Sequence, residues 1–430
     1  MASFDDDYTV RTFTPALDDG VPDAATVGWL GATRIGFHEN SSADNIRESA
    51  IGAIDDGRAF TGVYNRHPLP GTLDETWPVA TYTGYTKTVN VGGGRLVDTY
   101  LISDVTVRPT HRRRGMLRHL MTERLAAAAA AGHALAALTA SESTIYRRFG
   151  FGPATRKRTV VLHRETPFAL LSQPTGRVEL APASAIAAVG PRVFARFHET
   201  TPGSVDRQGQ YANLYNGLDY GTGKPDEHAR AAIHVPAAGG EPDGYVVYSV
   251  KEEAGKSVLS IADLVAADSS AFLALWDFLG SVDLVDLVRW RKAPVEGPLL
   301  HALASSRSLE TESEHDHVWL RILDAPAALS ARPYPIDGTL TLKVHDKLGH
   351  ADGTFRLEAS DGAGHAVRVG ESEPADLELD AATLATLYLG GVAVTVLAEA
   401  GLVVEHTAAA LGLATRLFAA DRPVHGMTDF

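Results

Sequence analysis

The sequence predicts a mixed α/β protein with a separate α+β tail, on three observations. A strand, a basic glycine loop, a helix and a second strand follow one another between residues 99 and 139. A weaker copy of that order lies between residues 257 and 290. Near Arg321-Ile-Leu-Asp-Ala-Pro326 the pattern gives way to alternating strands and then helices.

The elements follow in order. Residues 61–107 read as strands, with 78–85 and 99–107 rich in β-branched and aromatic residues and Asn90-Val-Gly-Gly-Gly94 as a turn. Leu117, Leu120, Met121 and Leu125 recur at helical spacing, an alanine-rich run extends the helix to about Ala131, and Gly132 ends it. Residues 134–139 are a short buried strand, and Ile145-Tyr-Arg-Arg-Phe149 is a short helix stopped by Gly150. In the second copy, 257–265 is a strand, 270–279 a helix and 285–290 a strand, but Ala266-Ala-Asp-Ser-Ser270 stands where the first copy has its arginines. The tail has strands at 338–344 and 353–358, a helix at 381–388, a strand near Val392 and a last helix at 407–418. With 430 residues, three units fit: 1–160, 161–324 and 325–430.

Composition narrows the class. The chain is 45% hydrophobic and 21% charged, as folded soluble proteins are. Its start, MASFDDDYTV, lacks the basic and apolar regions of a secretory signal. With no cysteine it has no disulfide, thiolate zinc site or cysteinyl acyl intermediate, which suits a reducing compartment, and a cytoplasmic place is expected. Residues 384–404 are the most apolar, but their glycines and Glu399 favour a buried helix and strand over a membrane span. A net charge of -14 disfavours nucleic acid and favours cationic partners.

Against that charge, Val107-Arg-Pro-Thr-His-Arg-Arg-Arg-Gly-Met-Leu-Arg118 carries five arginines in twelve residues. Cations at a helix N-terminus are unfavourable unless an anion sits among them. Unpaired helix N–H groups, a glycine that admits close approach and forked guanidinium groups together suit a diphosphate. A solvated basic face is the plainer reading, and it leaves the placement unexplained. Neither a Gly-Lys-Ser/Thr loop nor a dinucleotide fingerprint is present.

Arg112-x-x-Gly115, after Val105-Thr-Val107 and before a helix, resembles the coenzyme A loop of GNAT acetyltransferases, with Leu117 where that family has Gly or Ala. The longer string, joined by Ala140-Ser-Glu-Ser-Thr-Ile-Tyr-Arg-Arg-Phe-Gly-Phe-Gly-Pro-Ala-Thr155, is similar to the Eis (enhanced intracellular survival) branch. The resemblance implies tandem GNAT domains, the second degenerate, and a C-terminal domain like sterol carrier proteins. It also implies acetyl-CoA as co-substrate, no metal, and a hexamer.

For this chain the resemblance places the cofactor on Val105, Thr106, Val107, Arg112, Arg113, Arg114, Gly115, Met116, Leu117, Arg118, Ser141 and Glu142. The valine strand reads equally as core, and Ser141 and Glu142 as a helix cap. Tyr146 matches the family's general acid, and a phenol of pKa ~10 can protonate a thiolate. The family's general base is the C-terminal carboxylate, here on Phe430. A free α-carboxyl has a pKa of ~3.3–3.7; burial and a neighbouring carboxylate such as Asp429 are expected to raise it. His111 and His425 are the reserve bases, and Asp429 is expected to bind spare ammonium groups of the acceptor. The implied function is transfer of acetyl to primary amines of a polycationic acceptor. Aminoglycoside antibiotics come first, as in antibiotic resistance, with lysine side chains and polyamines beside them. Pocket residues are expected from 23–45 and the strands before Val107. The alternative is a carrier of apolar ligands working through the tail domain, with a non-catalytic GNAT module.

Overall fold

The computed structural model describes residues 4–164 and 168–430. Three large sheets organise them. The first has the order Tyr8–Phe13, Ala59–Asn65, Ala80–Asn90, Leu96–Val107, Leu135–Thr139, Val318–Ile322 and Gly152–Pro153. Its neighbours run antiparallel except Leu96–Val107 and Leu135–Thr139, which are parallel. The helix Met116–Ala130 makes that crossover, burying Leu120, Met121, Leu125 and Ala128 on one stripe.

The second sheet repeats the plan, with Arg177–Ala181, Arg230–Val235, Gly244–Glu253, Lys256–Ala266, Leu287–Ala293, Arg156–His163 and Leu309–Asp316 in order. Its parallel pair, Lys256–Ala266 and Leu287–Ala293, encloses the helix Ser269–Ser281. The start of this helix differs from that of the first copy. The Asp268 side chain accepts from the Ala271 N–H at 2.9 Å, so a carboxylate caps the helix where the first copy leaves its N-terminus open.

The two sheets exchange strands. Arg156–His163 follows the first sheet in sequence but lies in the second, and Val318–Ile322 does the reverse. A cut at 160/161 therefore falls inside an exchanged strand. Both carry apolar runs, Val160-Val-Leu162 and Val318-Trp-Leu320, which suit strands covered on both faces.

The third sheet, Ala363–Val369, Gly353–Ser360, Gly338–His345, Leu377–Asp380 and Val403–Glu405, forms the C-terminal unit. One core cluster runs from Leu101, Leu135 and Leu320 of the first sheet into Leu340, Leu342, Leu384 and Tyr388 of this unit. Its helix Ala381–Leu387 approaches so closely that a Cβ on Gly152 would stand 2.0 Å from the Ala382 carbonyl oxygen. The unit's interior also holds a buried arginine, Arg332. It donates to the Tyr388 and Phe418 carbonyls, at the ends of the helices Ala381–Leu387 and Ala410–Leu417. The strand expected near Val392 is instead the helix Val394–Glu399, which packs against Ala410–Leu417. Tertiary packing overrides the preference of Val394, Thr395 and Val396 for strands. Among the described residues, no helix is long and apolar enough to cross a membrane.

Candidate active site

The site begins where two parallel strands part. Leu96–Val107 pairs with Leu135–Thr139 from Thr99↔Leu135 to Ile102↔Leu138 and no further. From Ser103 onward the backbone on that side has no strand partner. On the other side the register against Ala80–Asn90 slips between Thr81 and Thr83. Asp104, at φ 54°, is the bulge that causes it. The Thr81 hydroxyl pins the bulge, lying 2.7 Å from both the Asp104 carbonyl oxygen and the Thr106 hydroxyl. The helix Ala24–Phe37 closes on the same strand, and a Cβ on Gly36 would come within 2.4 Å of Thr106.

The gap between the parted strands is a cavity of about 400 Å³. Val105, Ser141, Tyr146, Asp429 and Phe430 all line it. Residues named together from the sequence thus meet around one space, although Phe430 lies 284 positions beyond Tyr146. Tyr146 is 7% exposed, with its ring 6.2 Å from that of Phe151. Burial, and then the charge of Glu142, push its pKa up to about 12, so the phenol keeps its proton at neutral pH. Glu142 occupies the N-cap position of the helix Ser143–Tyr146 but makes no side-chain cap there.

The arginine loop leads on from the open strand end. A 3-10 turn, Pro109–His111, is followed by Arg113 at φ 63° and Gly115 at φ 84°, and the helix starts at Met116 without a side-chain cap. A Cβ on Gly115 would meet nothing within 4 Å. The glycine is therefore there for its left-handed backbone rather than for crowding. Arg112, Arg113 and Arg114 are exposed, and Arg114 donates to the Tyr8 hydroxyl at 2.7 Å. This surface fits a diphosphate: open helix N–H groups, exposed guanidinium groups and no competing acid cap. For two of the residues assigned to the cofactor by backbone, the side chains are engaged elsewhere. Met116 is core, packed with Leu120 and Leu125, and the Thr106 hydroxyl is engaged by Thr81. Only their backbone is available to a ligand.

The crossing of the exchanged strands seats the end of the chain. At that crossing Lys157 pairs with His315 and Arg156 with Asp316. The residues leading to Phe430 lie against this point. The His425 N–H donates to the Pro202 carbonyl at 2.8 Å, and the Thr428 hydroxyl to that of Val205 at 2.7 Å. Gly203 and Gly426 face each other so closely that a Cβ on Gly426 would stand 2.8 Å from the Gly203 carbonyl oxygen. Arg207, buried and bidentate on Asp263, supports the Met427 sulfur from below. One oxygen of the Phe430 α-carboxylate accepts from the Thr139 hydroxyl at 2.6 Å.

Asp429 corrects the sequence-based expectation. The sequence places it at the acceptor's ammonium groups and has it raise the pKa of its neighbour. Instead, Lys157 (2.8 Å) and His317 (2.8 Å) hold one of its oxygens and Lys292 (2.7 Å) the other. Burial would raise its pKa, but these partners hold it well below the usual carboxylate range. Lys292 is held charged in return: burial opposes its charge, and Tyr211 and Asp429 outweigh that. Asp429 is an anchor for the chain end. Lys157, Lys292, His317 and Thr139 are the residues the sequence reading missed, since no local motif joins them. The reserve bases do not reach the cavity. His111 sits on the loop, and His425 is buried with both ring nitrogens unpartnered.

A second cavity of about 660 Å³ adjoins the first, lined by residues from Leu30 to Ala53 together with Arg58, Phe60, Gln210 and Tyr220. Among the described residues, no group of three His, Cys, Asp or Glu side chains is arranged to hold a metal.

The comparisons agree with this layout. Models described as acetyltransferase (GNAT) domain match residues 24–154 and 203–322, and a sterol carrier protein domain matches 325–426. A Streptomyces griseus protein, itself an uncharacterized N-acetyltransferase, is 35% identical over 96% of this chain and 97% of its own. The N-acetyltransferase Eis of Mycobacterium tuberculosis is 30% identical over 80% of this chain and 83% of its own. The chain belongs to the Eis branch of the GNAT N-acetyltransferases. The crystal structure of Eis1 from Mycobacterium abscessus matches with a TM-score of 0.78 at 27% identity, over 98% of this chain and all of that one. GNAT acetyltransferases draw on acetyl-CoA; of the two sheets, only the first has an uncapped helix start after its parted strands.

Proposed function

We propose that this enzyme transfers acetyl from acetyl-CoA to a primary amine of a cationic acceptor, with Tyr146 as general acid and the α-carboxylate of Phe430 as general base. The observation that carries this is the meeting of Tyr146 and Phe430 in the gap between the parted strands. Acetyl-CoA supplies the activated acyl group. Arg112, Arg113, Arg114, Gly115 and the N–H groups from Met116 to Arg118 would hold its diphosphate. Val105, Thr106 and Val107 would pair by backbone with its amide arm, as an added strand does. Ser141, in the cavity wall, and Glu142 complete the cofactor side.

The acceptor's ammonium first gives one proton to solvent, and the neutral amine attacks. Forming the C–N bond makes the amine proton acidic, and a nearby anion can take it then. Tyr146 holds its own proton until a thiolate develops beside it; burial raises the basicity of that thiolate together with the pKa of the phenol. An N–H of the open strand edge is available to an oxyanion.

Aminoglycosides are the first acceptor class to test, with lysine side chains and polyamines after them, and a homo-oligomer, hexameric in this branch, is the expected form. The experiment is thiol release from acetyl-CoA against that panel, with products weighed by mass spectrometry. Addition of 42 Da per modified amine supports the reading; no thiol release with any amine overturns it.

A further inference from the structure

Tyr146 is placed by packing and backbone, since its hydroxyl makes no hydrogen bond among the described residues and is left to a ligand. The helix that carries it, Ser143–Tyr146, has four residues and no side-chain cap. A single turn does not hold itself, because its nucleus fixes several torsions for one hydrogen bond. Whatever keeps the phenol at the reacting centre must come from outside the segment.

It comes from the C-terminal unit, at successive points. Arg147, the next residue, reaches the start of the helix Ala381–Leu387. Its Nη2 lies 3.2 and 3.1 Å from the two Asp380 oxygens and 3.0 Å from the Thr383 hydroxyl. Asp380 is itself fixed, because it caps that helix by accepting from the Thr383 N–H at 2.7 Å. At Gly150, where the chain turns at φ 82°, Arg321 lies against the backbone, and a Cβ there would stand 2.6 Å from its Nη1. Arg321 is buried and donates to buried Asp346, whose carboxylate also accepts from the N–H groups of Leu348 (3.1 Å) and Ala351 (2.8 Å). At Gly152 the Ala382 carbonyl closes on the segment. Leu348 packs against the cluster that holds the Tyr146 ring.

The two units do not need Arg147 and Asp380 to stay together. They already share the apolar core through Leu320, Leu340 and Leu384. The pair is also partly open to solvent, Arg147 at 38% and Asp380 at 49%, and such pairs add little to global stability. What it does restrain is the residue next to the general acid.

We infer that the C-terminal unit, besides delivering Phe430, clamps the Tyr146 segment, and that Asp380, acting through Arg147, is a positioning residue for the phenol. The inference rests on the acid role proposed above for Tyr146 and adds to it what holds that acid in register with the base: one unit seats both.

The test uses the full chain with Asp380→Asn, which keeps a capping side chain and removes the charge, and with Arg147→Ala. Each is also combined with Tyr146→Phe. Steady-state constants are measured with the best amine of the panel, and backbone hydrogen exchange over residues 143–151 is followed by mass spectrometry. Each single variant is expected to lower kcat about tenfold. Both KM values should stay within twofold, and the melting temperature should move by no more than about 2 °C. Exchange over the segment should quicken severalfold, and the fall in kcat should vanish when Tyr146→Phe is present, since no phenol is left to place. A kcat within twofold of the parent in both variants overturns the inference. So does a fall that persists at full size beside Tyr146→Phe, because that marks a contact serving the fold. Should Tyr146→Phe alone turn over within threefold of the parent, the acid reading fails, and exchange then judges the clamp by itself: faster in both variants supports it, unchanged overturns it.

Discussion

The hydroxyl of Thr139 donates to an oxygen of the Phe430 α-carboxylate at 2.6 Å, joining two residues 291 positions apart in the sequence. Thr139 is the last residue of the strand that parts from Leu96–Val107. The same divergence that opens the cavity therefore provides the hook for the end of the chain.

That hook is backed by Asp429. Replacing it with asparagine leaves Lys157 and Lys292 without their counter-charge and weakens the seat of Phe430. The Asp429→Asn variant is expected to lose most of its kcat with little change in acetyl-CoA KM. It should also release its C-terminal phenylalanine to carboxypeptidase several times faster than the parent. Equal release rates would show that the ion pairs do not anchor the chain end.

Tyr146→Phe removes one oxygen from a buried ring and leaves its packing intact. The proposed acid role predicts a fall in kcat of about 10²–10⁴-fold, with substrate KM values and melting temperature nearly constant. Turnover within threefold of the parent would remove the phenol from the reaction.

The loop tests separately. Gly115→Ala places a Cβ in open space, so its cost is the left-handed backbone alone, about 1 kcal/mol. Arg113→Ala removes an exposed guanidinium and costs little stability. Both are expected to raise the acetyl-CoA KM about tenfold or more while acceptor binding is unchanged. Unaltered acetyl-CoA kinetics in both variants would move the diphosphate elsewhere.

His425 predicts how the fold responds to acid. Burial, with His317 and Lys157 nearby, depresses its pKa to about 3, whereas an unfolded histidine titrates near ~6.5. Below ~6.5 the unfolded chain binds a proton that the folded chain refuses, so stability is full above that pH and is lost as pH falls toward 3. At pH 5 the loss is about 2 kcal/mol. The melting temperature of the wild-type chain should therefore drop between pH 7.5 and 5, and by clearly less in His425→Leu. Parallel curves for the two proteins would assign acid sensitivity to other groups.

Local chemistry made part of this readable in advance. The turn at Gly115, the helical stripe from Leu117 to Leu125 and the short helix ending at Tyr146 are each legible within a dozen residues, because loop, helix and turn preferences are short-range. The absence of arginines from the second copy was visible as Ala266-Ala-Asp268, although the capping role of Asp268 was not. The exchange of Arg156–His163 and Val318–Ile322 between sheets was hidden, since pairing partners at that separation leave no periodicity in the chain. The role of Asp429 was misjudged for the same reason: Lys157, Lys292 and His317 approach it from three separate strands or strand ends. Asp104 carried no signal in a strand of β-branched residues; its bulge exists only against Thr81 and Thr83.

The central claim is that the carboxylate on Phe430 is a working group at the reacting centre. Its most direct test is the steady-state rate of the full chain beside the same chain with one glycine appended after Phe430. The account predicts a kcat at least a hundredfold lower for the extended chain, with acetyl-CoA KM and melting temperature unchanged. An extended enzyme that turns over within threefold of the parent contradicts it.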